Sequence, residues 1–238
     1  MSPPSYRTLD SPVRRRFLAG LGSLWLLAGL GLGPSPVAAS LSPQQLRRSM
    51  QAEYGAQGVA VLEEWFALLD RLRPADLEAR LRGVNDFFNR RIRWLEDIAI
   101  WRQEDYWATP LETLGRGEGD CEDFTIAKYV TLKELDVSEE ELRLIYVRAR
   151  IGRSSITQAH MVLGYYETPG ADPLVLDNLV PSITRGSRRT DLDPLFSFNG
   201  RGLWAAGSSQ SRADPVARLS RWRRVIDRMR QQGFIQGE

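Results

Sequence analysis

The chain has 238 residues, 42% hydrophobic and 26% charged, which fits one globular domain with a small appendage and excludes a disordered chain. Its formal net charge of +2 falls to −1 when the first 39 residues, with four arginines and one aspartate, are set aside. The remainder is near neutral, so no nucleic-acid partner is expected.

Residues 1–39 read as an export signal of twin-arginine type. Arg14-Arg15-Arg16-Phe17-Leu18 is a basic start, Phe17 to Gly33 is apolar, and Val37-Ala38-Ala39 is a small-residue cleavage pattern. The apolar run is about 17 residues long, at the lower edge of a membrane span, so an uncleaved inner-membrane anchor is the alternative. Either reading exports residues 40–238. The chain has one cysteine, Cys121, and in an exported protein an odd cysteine is a free reactive thiol or an intermolecular partner.

Residues 40–114 read as a helical part. Ser42-Pro43 opens a helix, and Val59, Leu62, Phe66 and Leu69 recur at helical spacing. Pro74 interrupts, and a further helix carries Leu77, Leu81, Val84, Phe87 and Phe88. Trp94, Trp101, Tyr106 and Trp107 follow in an irregular stretch that either packs the helices or lines a groove for an extended peptide.

Residues 115–205 read as a catalytic core. Gly115, Gly117 and Gly119 precede Asp120-Cys121-Glu122-Asp123, and a helix-like run extends from Phe124 to Leu135. This places Cys121 in the first turn of a helix, where partial positive charge and free N–H groups favour a thiolate. The glycines are expected to bend the backbone and leave room for a substrate chain. Strands follow at Leu142–Val147, Ala159–Tyr166 and Pro173–Leu179, and Leu192–Trp204 reads as loop. Residues 206–238 hold a last helix, capped by Asp214-Pro215 and ended by Gly233, with six arginines from Arg218 to Arg230.

A thiol at a helix start, an imidazole on a strand and a carboxylate at the end of the next strand suit acyl transfer. His160, the one histidine, lies in strand-like sequence, and Asp177 ends the next strand. Cys121 is then the candidate nucleophile, His160 the base and Asp177 the group that holds the imidazole. Asp120, Glu122 and Asp123 beside the thiol oppose its ionisation. Two readings of them stand open: helix capping, or a Ca²⁺ site that removes the repulsion.

The runs Val84–Asn89, Gln103–Leu114, Gly119–Phe124, Gln158–Leu163 and Leu176–Leu179 together resemble the LapG-type bacterial transglutaminase-like cysteine proteases. The resemblance spans about residues 43–205. It implies an α+β, papain/transglutaminase-like fold, with a helical part packed on an antiparallel sheet and the nucleophile at a helix N-terminus. It implies a periplasmic cysteine protease using Cys121, His160 and Asp177, with calcium at Asp120, Glu122 and, as a further candidate, Asp123. The substrate it implies is the N-terminal region of a large repeat-containing surface adhesin, cut typically between two alanines to release the adhesin and disperse biofilm. The inhibitor it implies is the periplasmic domain of an inner-membrane receptor for cyclic-di-GMP. A cell-wall amidase or transglutaminase with the same three residues, and a non-catalytic binding module, are the alternatives.

Overall fold

The structure, a computed structural model, describes residues 41–150, 152 and 156–234. The leader at 1–39 and most of the loop between Arg150 and Thr157 lie outside the described residues.

Proline at the first position opens α1 (Pro43–Leu72), which kinks at Gly55, where φ is 64°. A side chain is strained at such a φ, so glycine suits the kink. Asp76 caps α2 (Leu77–Arg91) by accepting from the Ala79 amide at 2.8 Å. The chain then makes β1 (Arg93–Trp94), a short α3 (Asp97–Trp101), and α4 (Pro110–Arg116), which opens with a Thr109/Glu112 capping box. β2 (Glu118–Gly119) pairs in parallel with β1 and leads into α5 (Cys121–Glu134).

α5 is buried along almost its whole length, from Glu122 to Leu132. It lies between the other helices and the sheet, and its buried polar residues Asp123, Thr125, Lys128 and Thr131 are all hydrogen-bonded. Trp65 of α1 donates from its indole to Thr131 Oγ1 at 2.9 Å, and Thr125 Oγ1 donates to the Met161 carbonyl at 3.0 Å.

The sheet contains β3 (Leu142–Arg150), β4 (Thr157–Tyr165), β5 (Leu174–Leu176), β6 (Thr184–Arg185), β7 (Leu192–Phe198) and β8 (Leu203–Ala205). Its order is β6-β5-β4-β3-β7-β8, and every pairing is antiparallel. Leu142, Leu144, Met161, Leu163 and Phe198 face the helices, while Ile145, Val147, Val162 and Val175 form a smaller cluster on the other face. Both faces are therefore apolar, which accounts for the unbroken apolar runs Leu144–Val147 in β3 and Met161–Leu163 in β4.

Two sequence expectations are corrected. Leu192–Trp204 is not loop, because β7 and β8 occupy it. Pro194 hid the strand, since proline interrupts a ladder; it sits where the β3–β7 register shifts, at a bulge that tolerates it. The last helix is also broken. α6 (Pro215–Arg218) ends at Leu219, and α7 (Ser220–Gln232) runs on to Gly233, where φ is 104°.

α7 anchors itself through Trp222, which is fully buried with its ring 5.9 Å from Tyr129 and 5.4 Å from Phe198. Trp222→Ala is expected to destabilise the protein by about 3–5 kcal/mol. Urea unfolding checks this, and a loss below about 1 kcal/mol would contradict the packing described.

Candidate active site

The residues before the thiol set its position. Gly117 takes φ 68° and ends α4, which turns the chain into β2. The other two glycines do not make room for substrate as expected. A Cβ on Gly115 would lie 2.3 Å from the Tyr54 ring, and one on Gly119 would lie 2.8 Å from Asp123 Cβ. Their space belongs to packing partners.

Cys121 is the first residue of α5, as the sequence predicts. Asp120 is the N-cap, accepting from the Glu122 amide at 3.2 Å, and Asp123 reaches back to the Asp120 amide at 3.3 Å. Asp123 is fully buried and also accepts from the Ala108 amide at 2.7 Å. The capping reading of Asp120 and Asp123 is therefore realised in full.

His160 and Asp177 are also together. Both are buried, and His160 Nε2 lies 2.9 Å from Asp177 Oδ1. They do not sit directly across the strand pair: Leu163 is opposite Leu176, which makes the contact a diagonal one. Asp177 is held down to about 2; burial works against this, but the His160 hydrogen bond and charge, the Leu179 amide and Arg189 outweigh it. An ionised carboxylate only accepts, so Nε2 is the ring nitrogen that donates to Asp177, and in the neutral imidazole the lone pair falls to Nδ1.

Cys121 and His160 line one open groove of about 410 Å³, with Trp94, Ile98, Tyr146 and Leu179. Trp94 and Ile98 are exposed there, whereas Trp107 is buried against Phe198 at 5.6 Å. The tryptophans thus divide between groove and core. The thiol donates to Glu122 Oε2 at 2.6 Å. Burial first, and then the charges of Glu122 and Asp120, push the thiol well above its usual range.

The acidic residues form a denser cluster than the sequence suggested. Carboxylate oxygens of Asp97, Asp120 and Asp123 lie within 4.8 Å of one another, and Asp120, Cys121 and Glu122 form an overlapping group. Burial, followed by repulsion from Asp120, pushes Asp97 up to about 7. Burial, followed by repulsion from Glu122, pushes Asp120 up to about 8. Asp97 Oδ1 is buried without a hydrogen-bond partner. Crowded carboxylate oxygens, one of them buried and unused, are donors suited to a hard divalent cation that would take the place of the protons their repulsion retains, so Asp97, Asp120, Glu122 and Asp123 fit Ca²⁺ chemically.

Sequence reasoning missed Asp97, Asn85, Asn89 and Arg189. Asn89 Nδ2 donates to the Asp177 carbonyl and Asn85 Nδ2 to the Pro181 carbonyl, both at 2.8 Å. Their i, i+4 spacing on one face of α2 was a readable signal. Arg189 Nη2 pairs with Asp177 Oδ2 at 2.8 Å. Nothing in the sequence separates it from Arg185 and Arg188.

Helices packed on one antiparallel sheet, with the thiol at a helix start and the imidazole on a strand, define a papain/transglutaminase-like architecture. The family profile described as bacterial transglutaminase-like cysteine proteinase matches residues 71–191, half of the chain. EGTA-treated LapG of Legionella pneumophila is 36% identical, with a TM-score of 0.70, over 81% of this chain and 100% of that one. Calcium-bound LapG of the same organism is 35% identical, with a TM-score of 0.67, over 78% of this chain and 98% of that one. No curated protein sequence matches. The chain belongs to the bacterial transglutaminase-like cysteine proteinase family.

Proposed function

We propose that this protein is a calcium-dependent cysteine endopeptidase of the periplasm. It cleaves the N-terminal region of a large repeat-containing surface adhesin and so releases the adhesin and disperses biofilm. The observation that carries the reading is the buried His160–Asp177 pair, 2.9 Å apart, in the groove that holds the lone thiol Cys121.

His160 takes the Cys121 proton on Nδ1 while Asp177 holds Nε2–H and stabilises the imidazolium. The thiolate attacks the scissile carbonyl carbon. The Cys121 amide, at the N-terminus of α5, donates to the developing oxyanion. The C–N bond then breaks as His160 returns its proton to the leaving amine. Water, deprotonated by His160, hydrolyses the thioester and frees Cys121. Trp94, Ile98 and Leu179 supply apolar surface for an extended peptide with small residues at the bond cut.

Asp120, Glu122, Asp123 and Asp97 would hold a calcium ion, whose charge would offset the carboxylate field that opposes ionisation of the Cys121 thiol. A calcium-bound structure of the Legionella relative supports calcium binding in this family. Control is by the periplasmic domain of an inner-membrane cyclic-di-GMP receptor, which sequesters the protease.

The test is to incubate an adhesin N-terminal fragment from the same bacterium with the protease, with and without that receptor domain, and locate the cut by mass spectrometry. One cut between two alanines, suppressed by the receptor domain, is expected. An uncut fragment alongside hydrolysed peptidoglycan stem peptides would replace the protease reading with the amidase one.

A further inference from the structure

The Asp177 carboxylate is held unequally at its two oxygens. Oδ1 faces His160 Nε2 at 2.9 Å and accepts from the Leu179 amide at 2.9 Å. Among the described residues, Arg189 is the one cation within ion-pair distance of Oδ2, at 2.8 Å. The Asp177 backbone is already fixed by Asn89 through its carbonyl. Rotation about Cβ–Cγ would move Oδ2, and the Arg189 ion pair, the contact that oxygen makes in place of an aligned hydrogen bond, opposes it.

Arg189 is itself immobilised. Its side chain is 7% exposed, Nε donates to Asp191 Oδ1 at 3.0 Å, and Nη2 donates to Asp191 Oδ2 at 2.7 Å. This fork fixes the guanidinium plane independently of Asp177. Lys128 also faces Asp177 from α5, but its ammonium is bonded to Asn85 Oδ1 at 2.9 Å. Burial lowers Lys128 to about 7, so it gives the carboxylate neither a full charge nor a direction.

We propose that Arg189 is a positioning residue: clamped by Asp191, its guanidinium locks the Asp177 carboxylate so that Oδ1 stays on His160 and the imidazole keeps its catalytic tautomer. This rests on the reading of Cys121, His160 and Asp177 as the catalytic residues. Arg189 touches neither substrate nor thiol and acts only through Asp177, so its effect must vanish where Asp177 no longer performs its role.

The experiment uses wild type, R189M, R189K, D177N and the R189M/D177N double variant. Cleavage of an adhesin-derived peptide containing an Ala–Ala bond gives kcat and KM. The single histidine gives the two ring-nitrogen signals of one imidazole in protein labelled with ¹⁵N-histidine, so the ring N–H proton is read free of overlap from other histidines. R189M is expected to lower kcat by roughly 10²-fold, with KM within about twofold, since small misplacement of a catalytic group has that effect. Its low-field Nε2–H resonance broadens away. R189K, which keeps the charge but not the fork, recovers part of both.

R189M/D177N is expected to turn over at the D177N rate, because residues acting as one unit are not additive. The proposal is overturned if R189M keeps wild-type kcat and an unchanged Nε2–H signal. It is equally overturned if R189M lowers the rate of D177N by its full factor. Should R189M not fold with Asp177 unpaired, R189K and R189K/D177N supply the same cycle. If D177N itself keeps the wild-type rate and tautomer, the catalytic reading of Asp177 falls, an outcome distinct from failure of the Arg189 inference alone.

Discussion

Cys121→Ala is expected to lose at least roughly 10⁴-fold in turnover, because no other thiol in the chain can form the acyl intermediate. His160→Ala is expected to match it, since there is no second imidazole to take the proton. Combining the two should lower the rate no further, as each alone removes the same chemical step. Stability tells loss of chemistry from loss of fold. Cys121 is half-buried at the end of a helix, and removing its sulfur leaves the Asp120/Asp123 capping box in place. Cys121→Ala should therefore stay within about 1 kcal/mol of wild type in urea unfolding. A Cys121→Ala protein that cleaves at the wild-type rate would remove the thiol from the mechanism.

The second large effect is expected from Asp120→Asn. Asparagine caps a helix as well as aspartate does, so the cap on α5 is retained and only the charge is lost. If capping is the sole role of Asp120, this variant stays active and binds calcium as wild type does. If Asp120 is a calcium ligand, calorimetric calcium affinity falls by at least tenfold and cleavage falls with it at limiting calcium. The calcium-free variant should be at least as stable as calcium-free wild type, because one member of a repelling cluster has been neutralised. Normal calcium binding by Asp120→Asn would return Asp120 to capping alone.

The same cluster sets an expected pH dependence. Asp97 and Asp120 carry the ordinary value of 3.8 when exposed but are pushed up to about 7 and about 8 in the folded protein. Between pH 4 and pH 8 the unfolded chain releases protons that the folded chain keeps, so calcium-free stability falls as pH rises through this window. Asp177 acts in the opposite direction. Its folded value is held down to about 2, so its contribution is complete above about pH 4 and is lost only as pH falls toward 2. In chelator, thermal melts should thus show a maximum on the acid side of neutrality. Calcium should raise the melting temperature most at pH 8, where its ligands are otherwise ionised and repelling. A calcium-free protein more stable at pH 8 than at pH 5 would contradict the buried cluster.

Much of the fold was readable from local signals. The proline start of α1, the capping run before α5 and the β-rich apolar run of β3 are short-range chemistry, and they fall where expected. β7 was hidden because Pro194 reads as a breaker unless the bulge opposite Val147 is known, and a bulge is a property of the pair of strands. The site divides in the same way. Asp120, Cys121 and Glu122 are adjacent in sequence, and the lone histidine had no rival. Asp97 joins the cluster from a separate short helix, and Arg189 reaches Asp177 from the turn before β7. Their roles depend on tertiary placement of irregular segments, which carry no periodicity to announce them.

The most direct measurement is cleavage of the adhesin N-terminal fragment by residues 40–238 in calcium, then in excess chelator, then with calcium restored. Cys121→Ala is carried through the same cycle. Cleavage that stops with chelator, returns with calcium and is absent throughout in Cys121→Ala is the expected result. Cleavage indifferent to chelator, or persisting in Cys121→Ala, would contradict the claim of a calcium-dependent thiol protease.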